Sequence, residues 1–95
     1  MKAEKEQRVE PDSMSAAIGE TMGEVLGVAT LGADEDFFAQ GGDSLRALEM
    51  ISRLGSHPSL PLARSSEAQS RLVESVFVDG TPGALAAVLT EFENH

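Results

Sequence analysis

The apolar residues of this chain recur at helical spacing in separate stretches, and glycine and proline divide the stretches from one another. Met14, Ile18, Val25 and Ala29 form one stripe, with Met22 beside them. They predict a helix over about residues 14–29, capped by Asp12 or Ser13. Ala47, Leu48, Ile51 and Leu54 predict the core stripe of a second helix over about residues 44–54. Arg46, Glu49 and Arg53 then face outward, with Leu45 and Met50 at the margins. Gly55 ends that helix, and Pro58 and Pro61 prevent its continuation. Ser66-Glu67-Ala68-Gln69 has the spacing of a capping box. Ala68, Leu72, Val73, Val76 and Phe77 follow, predicting a third helix over about 67–78. Asp79-Gly80 makes a turn, Thr81 caps a final helix and Pro82 takes its first position. Leu85, Val88, Leu89 and Phe92 are its stripe. The fold class is therefore all-α, a small four-helix bundle. It has three longer helices and one short or variable helix between the second and the last.

Ninety-five residues suffice for one small domain. Residues 1–12 are polar and mixed in charge and read as a disordered leader. Residues 13–95 form the domain, with 55–70 as a variable linker region between helices two and three. The hydrophobic fraction of 41% permits a core, but aromatics are only 4% and all Phe, so aliphatic side chains fill most of it. Sixteen acidic residues against seven basic ones give a net charge of −9. Nucleic acid and anionic membrane both need a basic surface, so neither is an expected partner. Cationic protein surfaces suit this chain better, and a monomer is expected. With no cysteine there is no disulfide framework and no thiolate chemistry from the protein, which fits a reducing cytoplasm. No apolar run has transmembrane length, and no signal-peptide h-region is visible. No clustered ligand pair suggests a metal, and His57 reads as a solvated linker residue.

Gly19, Gly23 and Gly27 recur every fourth residue on the face opposite the first stripe. Such a ridge can admit a close neighbour. The simpler reading is of exposed glycines, each weakening the helix by about 0.8–1 kcal/mol relative to Ala. On that reading Gly23→Ala raises thermal stability.

Residues 30–43 form a long loop. Asp34-Glu35-Asp36 resembles the start of a calcium loop, but the sixth position is Ala39 and the twelfth Leu45, which rules out an EF-hand. The acids instead start a turn that drops Phe37 and Phe38 onto the bundle, one of them buried as an anchor. Gly41 and Gly42 tolerate positive φ and leave the backbone uncrowded. Asp43 is a strong N-cap, and Ser44 falls in the first helical turn with its hydroxyl toward solvent. Free N–H groups and partial positive charge at that helix start favour a phosphate on Ser44.

The stretch Phe37-Phe38-Ala39-Gln40-Gly41-Gly42-Asp43-Ser44-Leu45, preceded by Asp36, resembles the attachment motif of phosphopantetheine carrier proteins. It is most similar to the free-standing peptidyl carrier (thiolation) proteins of nonribosomal peptide synthesis. The resemblance covers residues 14–54 well and 72–93 loosely. Family carriers usually have a shorter connection where this chain has residues 55–70. The resemblance implies an acyl-carrier-like bundle with 4′-phosphopantetheine, taken from coenzyme A, attached covalently to Ser44. It implies a role in holding an aminoacyl or acyl group as a thioester, in peptide-antibiotic or related secondary-metabolite biosynthesis. It implies no enzyme activity of the chain's own. The implied partners are a phosphopantetheinyl transferase, an adenylating (loading) enzyme and condensation or tailoring enzymes. Gly42, Asp43, Leu45, Arg46 and Met50 are the implied recognition residues. From Met1 to its last stripe the sequence reads as a free-standing carrier. A polyketide-type acyl carrier is the alternative within the class, and a plain helical interaction module lies outside it. Gly42-Asp43-Ser44-Leu45 also spells the nucleophile motif of GDSL hydrolases. That reading needs a triad, and the only histidines are His57 and His95, neither with an identifiable partner. The α/β-hydrolase elbow is also unmatched, since Arg46 stands where Gly is required.

Overall fold

A computed structural model describes residues 11–93, with their side chains from 12 to 92. The leader expected over 1–12 therefore falls outside the described residues as far as residue 10, and His95 lies outside them too. Pro11 and Asp12 already belong to a helix. Secondary structure among the described residues is entirely helical: α1 (Pro11–Leu26), α2 (Ser44–Gly55), a 3-10 turn (Pro61–Arg64), α3 (Ser66–Val76) and α4 (Pro82–Glu93). This is the expected all-α bundle, and its intermediate helix α3 has a full 11 residues. α1 packs against α4 and α2, and α3 closes the bundle against the same two helices. The core is built from Met14, Ile18 and Met22 of α1, Leu72 and Val76 of α3, Leu85 and Leu89 of α4, and the buried face of α2.

α1 starts three residues earlier than its stripe suggests, because the fixed φ of Pro11 suits a first helical position. It also ends three residues earlier. Gly27 turns to φ +73° and Val28 N–H donates to Gly23 O at 2.9 Å, closing a Schellman motif. Ala29 is outside the helix and exposed. The chain then doubles back along α1, and the reading of exposed glycines is overturned for Gly19 and Gly23, though Gly27 is exposed. Gly19 and Gly23 are buried beneath residues 28–31. Leu31 N–H donates to Gly19 O at 3.1 Å, which carries the Leu31 side chain into the core. The glycine ridge does admit a close neighbour, and the neighbour is this chain's own loop.

α2 buries Ala47, Met50, Ile51 and Leu54. Two expectations are exchanged here: Met50 is fully buried, while Leu48, assigned to the core, is 47% exposed. Both flank the Ala47–Ile51–Leu54 line, and the rotation imposed by α1 and the 3-10 turn selects the i, i+3, i+4, i+7 seam containing Met50.

The connection after α2 is packed rather than irregular, with Leu60 and Ala63 in the core. The cap of α3 is Ser65, one residue before the expected box; its Oγ accepts from Ala68 N–H at 3.0 Å. Gln69 does not reach back to the cap. Its Nε2 donates to Ile51 O at 3.0 Å and Ala63 O at 2.9 Å, joining α2, the 3-10 turn and α3. α4 begins as expected, with Thr81 Oγ1 accepting from Ala84 N–H at 3.2 Å and Pro82 following the cap. His57 is also not a freely solvated residue. Its ring is mostly covered, its Nδ1 accepts from Ser59 N–H at 3.0 Å, and its Nε2 lies 3.9 Å from Glu20 Oε1.

Candidate functional site

Residues 36–43 form one compact turn that delivers Ser44. Asp36 opens it: its Oδ2 accepts from Ala39 N–H at 2.9 Å and its carbonyl from Gln40 N–H at 3.1 Å. Gly41 N–H then donates to Phe38 O and Gly42 N–H to Phe37 O. Phe37 is fully buried and is the anchor expected of the pair. Phe38 is partly buried, meets Phe37 edge-on at 5.6 Å between ring centroids, and stacks on Phe77 at the same separation.

The two glycines of the motif serve different needs. Gly41 has φ +111° with open space around it, so its requirement is conformational. Gly42 is needed for room, since a Cβ there would stand 2.3 Å from Phe37 Cε2. Asp43 is extended (φ −136°, ψ −178°) and caps α2, its Oδ1 accepting from Arg46 N–H at 2.9 Å. Ser44 is the first residue of α2 and is exposed. The Asp43 carbonyl takes Ala47 N–H, and the Ser44 and Leu45 N–H groups have no acceptor among the described residues. Exposed hydroxyl, helix start and free donors thus converge at one point, which suits a phosphate ester.

Of the sequence-predicted recognition residues, Gly42, Asp43, Leu45 and Arg46 surround Ser44 along the chain. Met50 does not join them, because its side chain is buried. Leu45 is 76% exposed, and Leu48 lies one turn from Ser44 on the same helix. Arg46 has no ion-pair partner among the described residues, whereas Arg53 is engaged by Glu49 at 2.9 Å. Sequence reasoning missed Phe77 and Val78 as surface residues; Val78 is 88% exposed. The available signal was their place directly before the Asp79-Gly80 turn, where α3 has run out.

The same geometry separates Ser44 from His57. Ser44 opens α2 and His57 follows its end, a helix of 12 residues or about 18 Å away. These two residues cannot form a nucleophile–base pair.

Residues 16–63 match the family described as "Phosphopantetheine attachment site", just over half the chain. The chain belongs to this family. Its prosthetic group is covalently attached 4′-phosphopantetheine. The matched stretch runs from within α1 into the 3-10 turn, so it contains the whole Ser44 turn and part of the connection after α2. Among curated relatives, phenyloxazoline synthase MbtB of Mycolicibacterium paratuberculosis is 33% identical over 81 residues, 85% of this chain and 6% of the synthase. The probable non-canonical nonribosomal peptide synthetase CymA of Salinispora arenicola is 35% identical over 72 residues, 76% of this chain and 1% of that protein. Bacitracin synthase 3 of Bacillus licheniformis is 61% identical over 31 residues, 33% of this chain and, to the nearest per cent, 0% of the synthase. The chain thus spans a small fraction of the relatives it matches. No solved structure matches it.

Proposed function

We propose that this chain is a peptidyl carrier that bears 4′-phosphopantetheine on Ser44 and presents an aminoacyl or acyl group to partner enzymes of nonribosomal peptide or related secondary-metabolite biosynthesis. The observation that supports it best is the exposed Ser44 hydroxyl at the start of α2, inside the family match and aimed by the 36–43 turn. The relative named a nonribosomal peptide synthetase favours the peptide branch over a polyketide carrier. When bound, the group supplies a terminal thiol that holds the cargo as a thioester, chemistry that a cysteine-free chain lacks.

The chain's own residues position and display. Gly41 and Gly42 let the turn close over Phe37, Asp43 starts the helix at a fixed residue, and the Ser44 and Leu45 N–H groups, without an acceptor among the described residues, would receive a phosphate on Ser44. No general base of the chain is needed for this role, so the carrier is not itself an enzyme. A separate phosphopantetheinyl transferase modifies Ser44, an adenylating enzyme loads the thiol, and condensation or tailoring enzymes act on the cargo in the cytoplasm. Exposed Leu45 and Leu48, with Arg46, which has no ion-pair partner among the described residues, are the contacts offered to them.

Intact-protein mass after incubation of unmodified protein with coenzyme A, magnesium and a promiscuous transferase tests the site. The expected result is a gain of one phosphopantetheine that is absent in Ser44→Ala. No gain by a folded, unmodified sample would overturn the carrier reading. Leu45→Ala should slow modification by about tenfold, as expected from losing a buried Leu contact of about 1.5 kcal/mol at the partner surface. A rate equal to that of the parent would remove Leu45 from that surface.

A further inference from the structure

Asp36 stands eight residues before Ser44, is half-buried, and lies outside the helix that Ser44 begins. Its carboxylate is nevertheless fully engaged by backbone on two sides. Oδ2 accepts from Ala39 N–H at 2.9 Å within the turn, and Oδ1 accepts from Gly80 N–H at 3.2 Å, 44 residues away in sequence. Phe37 N–H returns the contact by donating to Gly80 O at 2.9 Å. Gly80 is buried, and a Cβ on it would stand 2.9 Å from Asp36 Oδ1, 3.2 Å from Val76 O and 3.3 Å from the Phe38 ring. The turn carrying Ser44 is thereby clipped to the turn joining α3 and α4.

We propose that Asp36 is a positioning residue for modification: its carboxylate clamps the 36–43 turn to Gly80 and so holds Ser44 ready for the transferase. The proposal rests on Ser44 being the attachment site. The reasoning is energetic. The turn's remaining ties are hydrogen bonds within itself, the single Phe37 N–H bond to Gly80 O at its start, and the Phe37 and Phe38 rings. The rings and the Phe37 bond hold the start of the turn, whereas the carboxylate shared between Ala39 and Gly80 ties the backbone further along it to the same anchor. Bonds to a charged acceptor are also the stronger kind. Without the clamp, ordering the turn falls to the encounter with the transferase, which raises KM and leaves kcat nearly unchanged.

Asp36→Asn offers one acceptor oxygen instead of two, and Asp36→Ala none, so the pair forms a graded series. Glu35→Gln is the control; Glu35 Oε1 accepts from Gly32 N–H at 2.7 Å in the same loop but outside the clamp. Amide hydrogen exchange followed by NMR on the full chain should show Ala39, Gly41, Gly42 and Gly80 exchanging about tenfold faster in Asp36→Asn and faster again in Asp36→Ala. Core amides of α1 and α4 should keep their parental rates in Asp36→Asn. In the transferase assay the KM for the carrier should rise about tenfold with kcat changed less than twofold. Glu35→Gln should match the parent in both readouts. Unchanged exchange at Ala39 and Gly80, or acceleration spread evenly over all helices, overturns the clamp. Local acceleration with an unchanged KM overturns its positioning role. Failure of the parent protein to be modified would sink the Ser44 reading, and with it the role in modification, while exchange still decides whether the clamp exists.

Discussion

Phe37→Ala should lower stability by about 3–5 kcal/mol, the range for truncating a fully buried aromatic ring. The ring is completely covered and is the floor on which Gly42 rests. The Phe37 backbone is used as well, its N–H donating to Gly80 and its carbonyl accepting from Gly42. Truncation therefore empties the space beneath the Ser44 turn while the backbone bonds above it remain to be satisfied. A small domain has only about 5–15 kcal/mol in total. Each kcal/mol moves the melting temperature by roughly 4–8 °C at this size, so the midpoint should fall by tens of degrees. Urea unfolding followed by far-ultraviolet circular dichroism gives the number, and a similar m-value would confirm that the native state is still the reference. Phe38→Ala is the internal comparison. That ring is only partly buried, so its loss should cost clearly less. Equal costs for the two, or a loss under 1 kcal/mol for Phe37, would mean that Phe37 does not anchor the turn.

The features legible in the sequence are those whose physics is local. Asp43 capping Arg46 N–H and Thr81 capping Ala84 N–H each involve a side chain and its own backbone three residues on, so residue type and spacing suffice. The position of Ser44 follows from the first of these. Features that depend on distant neighbours were not legible. Leu48 and Met50 are equally apolar and lie on either side of one seam, and only the packing of α1 and the 3-10 turn chooses between them. Ser65 and Ser66 are adjacent candidates for one cap. Ser65 wins with an extended backbone (φ −69°, ψ 152°). Gln69, the expected closing member of the box, is drawn instead to the carbonyls of Ile51 and Ala63. Leu60 and Ala63 stand among prolines and serines that suggest a loop, and their burial emerges only once α2, α3 and α4 enclose them. The Asp36–Gly80 contact spans 44 residues and has no sequence signature at all. Thus the placement of Ser44 at the start of α2 could be read in advance, but the supports that hold it could not.

Gly19→Ala should be strongly destabilising, although helix propensity alone favours Ala by about 1 kcal/mol. A Cβ at Gly19 would stand 2.1 Å from Leu31 O, a backbone atom that cannot swing aside as a side chain does. The returning loop must lift. Lifting it strains the Leu31 N–H bond to Gly19 O and withdraws Leu31, which is buried, from the core. Overpacking of this kind costs about 1–3 kcal/mol, and losing the hydrogen bond adds about 1 more, so the net loss should be about 1–3 kcal/mol after the propensity gain. Gly23→Ala places its Cβ 2.7 Å from Ala29 O and 2.9 Å from Val28 O, a milder overlap with the same sign. Gly27→Ala meets nothing within 4 Å, and its penalty comes only from φ +73°, about 1–2 kcal/mol. Melting temperatures should therefore fall in all three variants, most in Gly19→Ala. A rise in Gly23→Ala would show that residues 28–31 do not lie against α1 in solution. The early chain reversal that brings Leu31 into the core and starts the run toward Ser44 would then have to be redrawn.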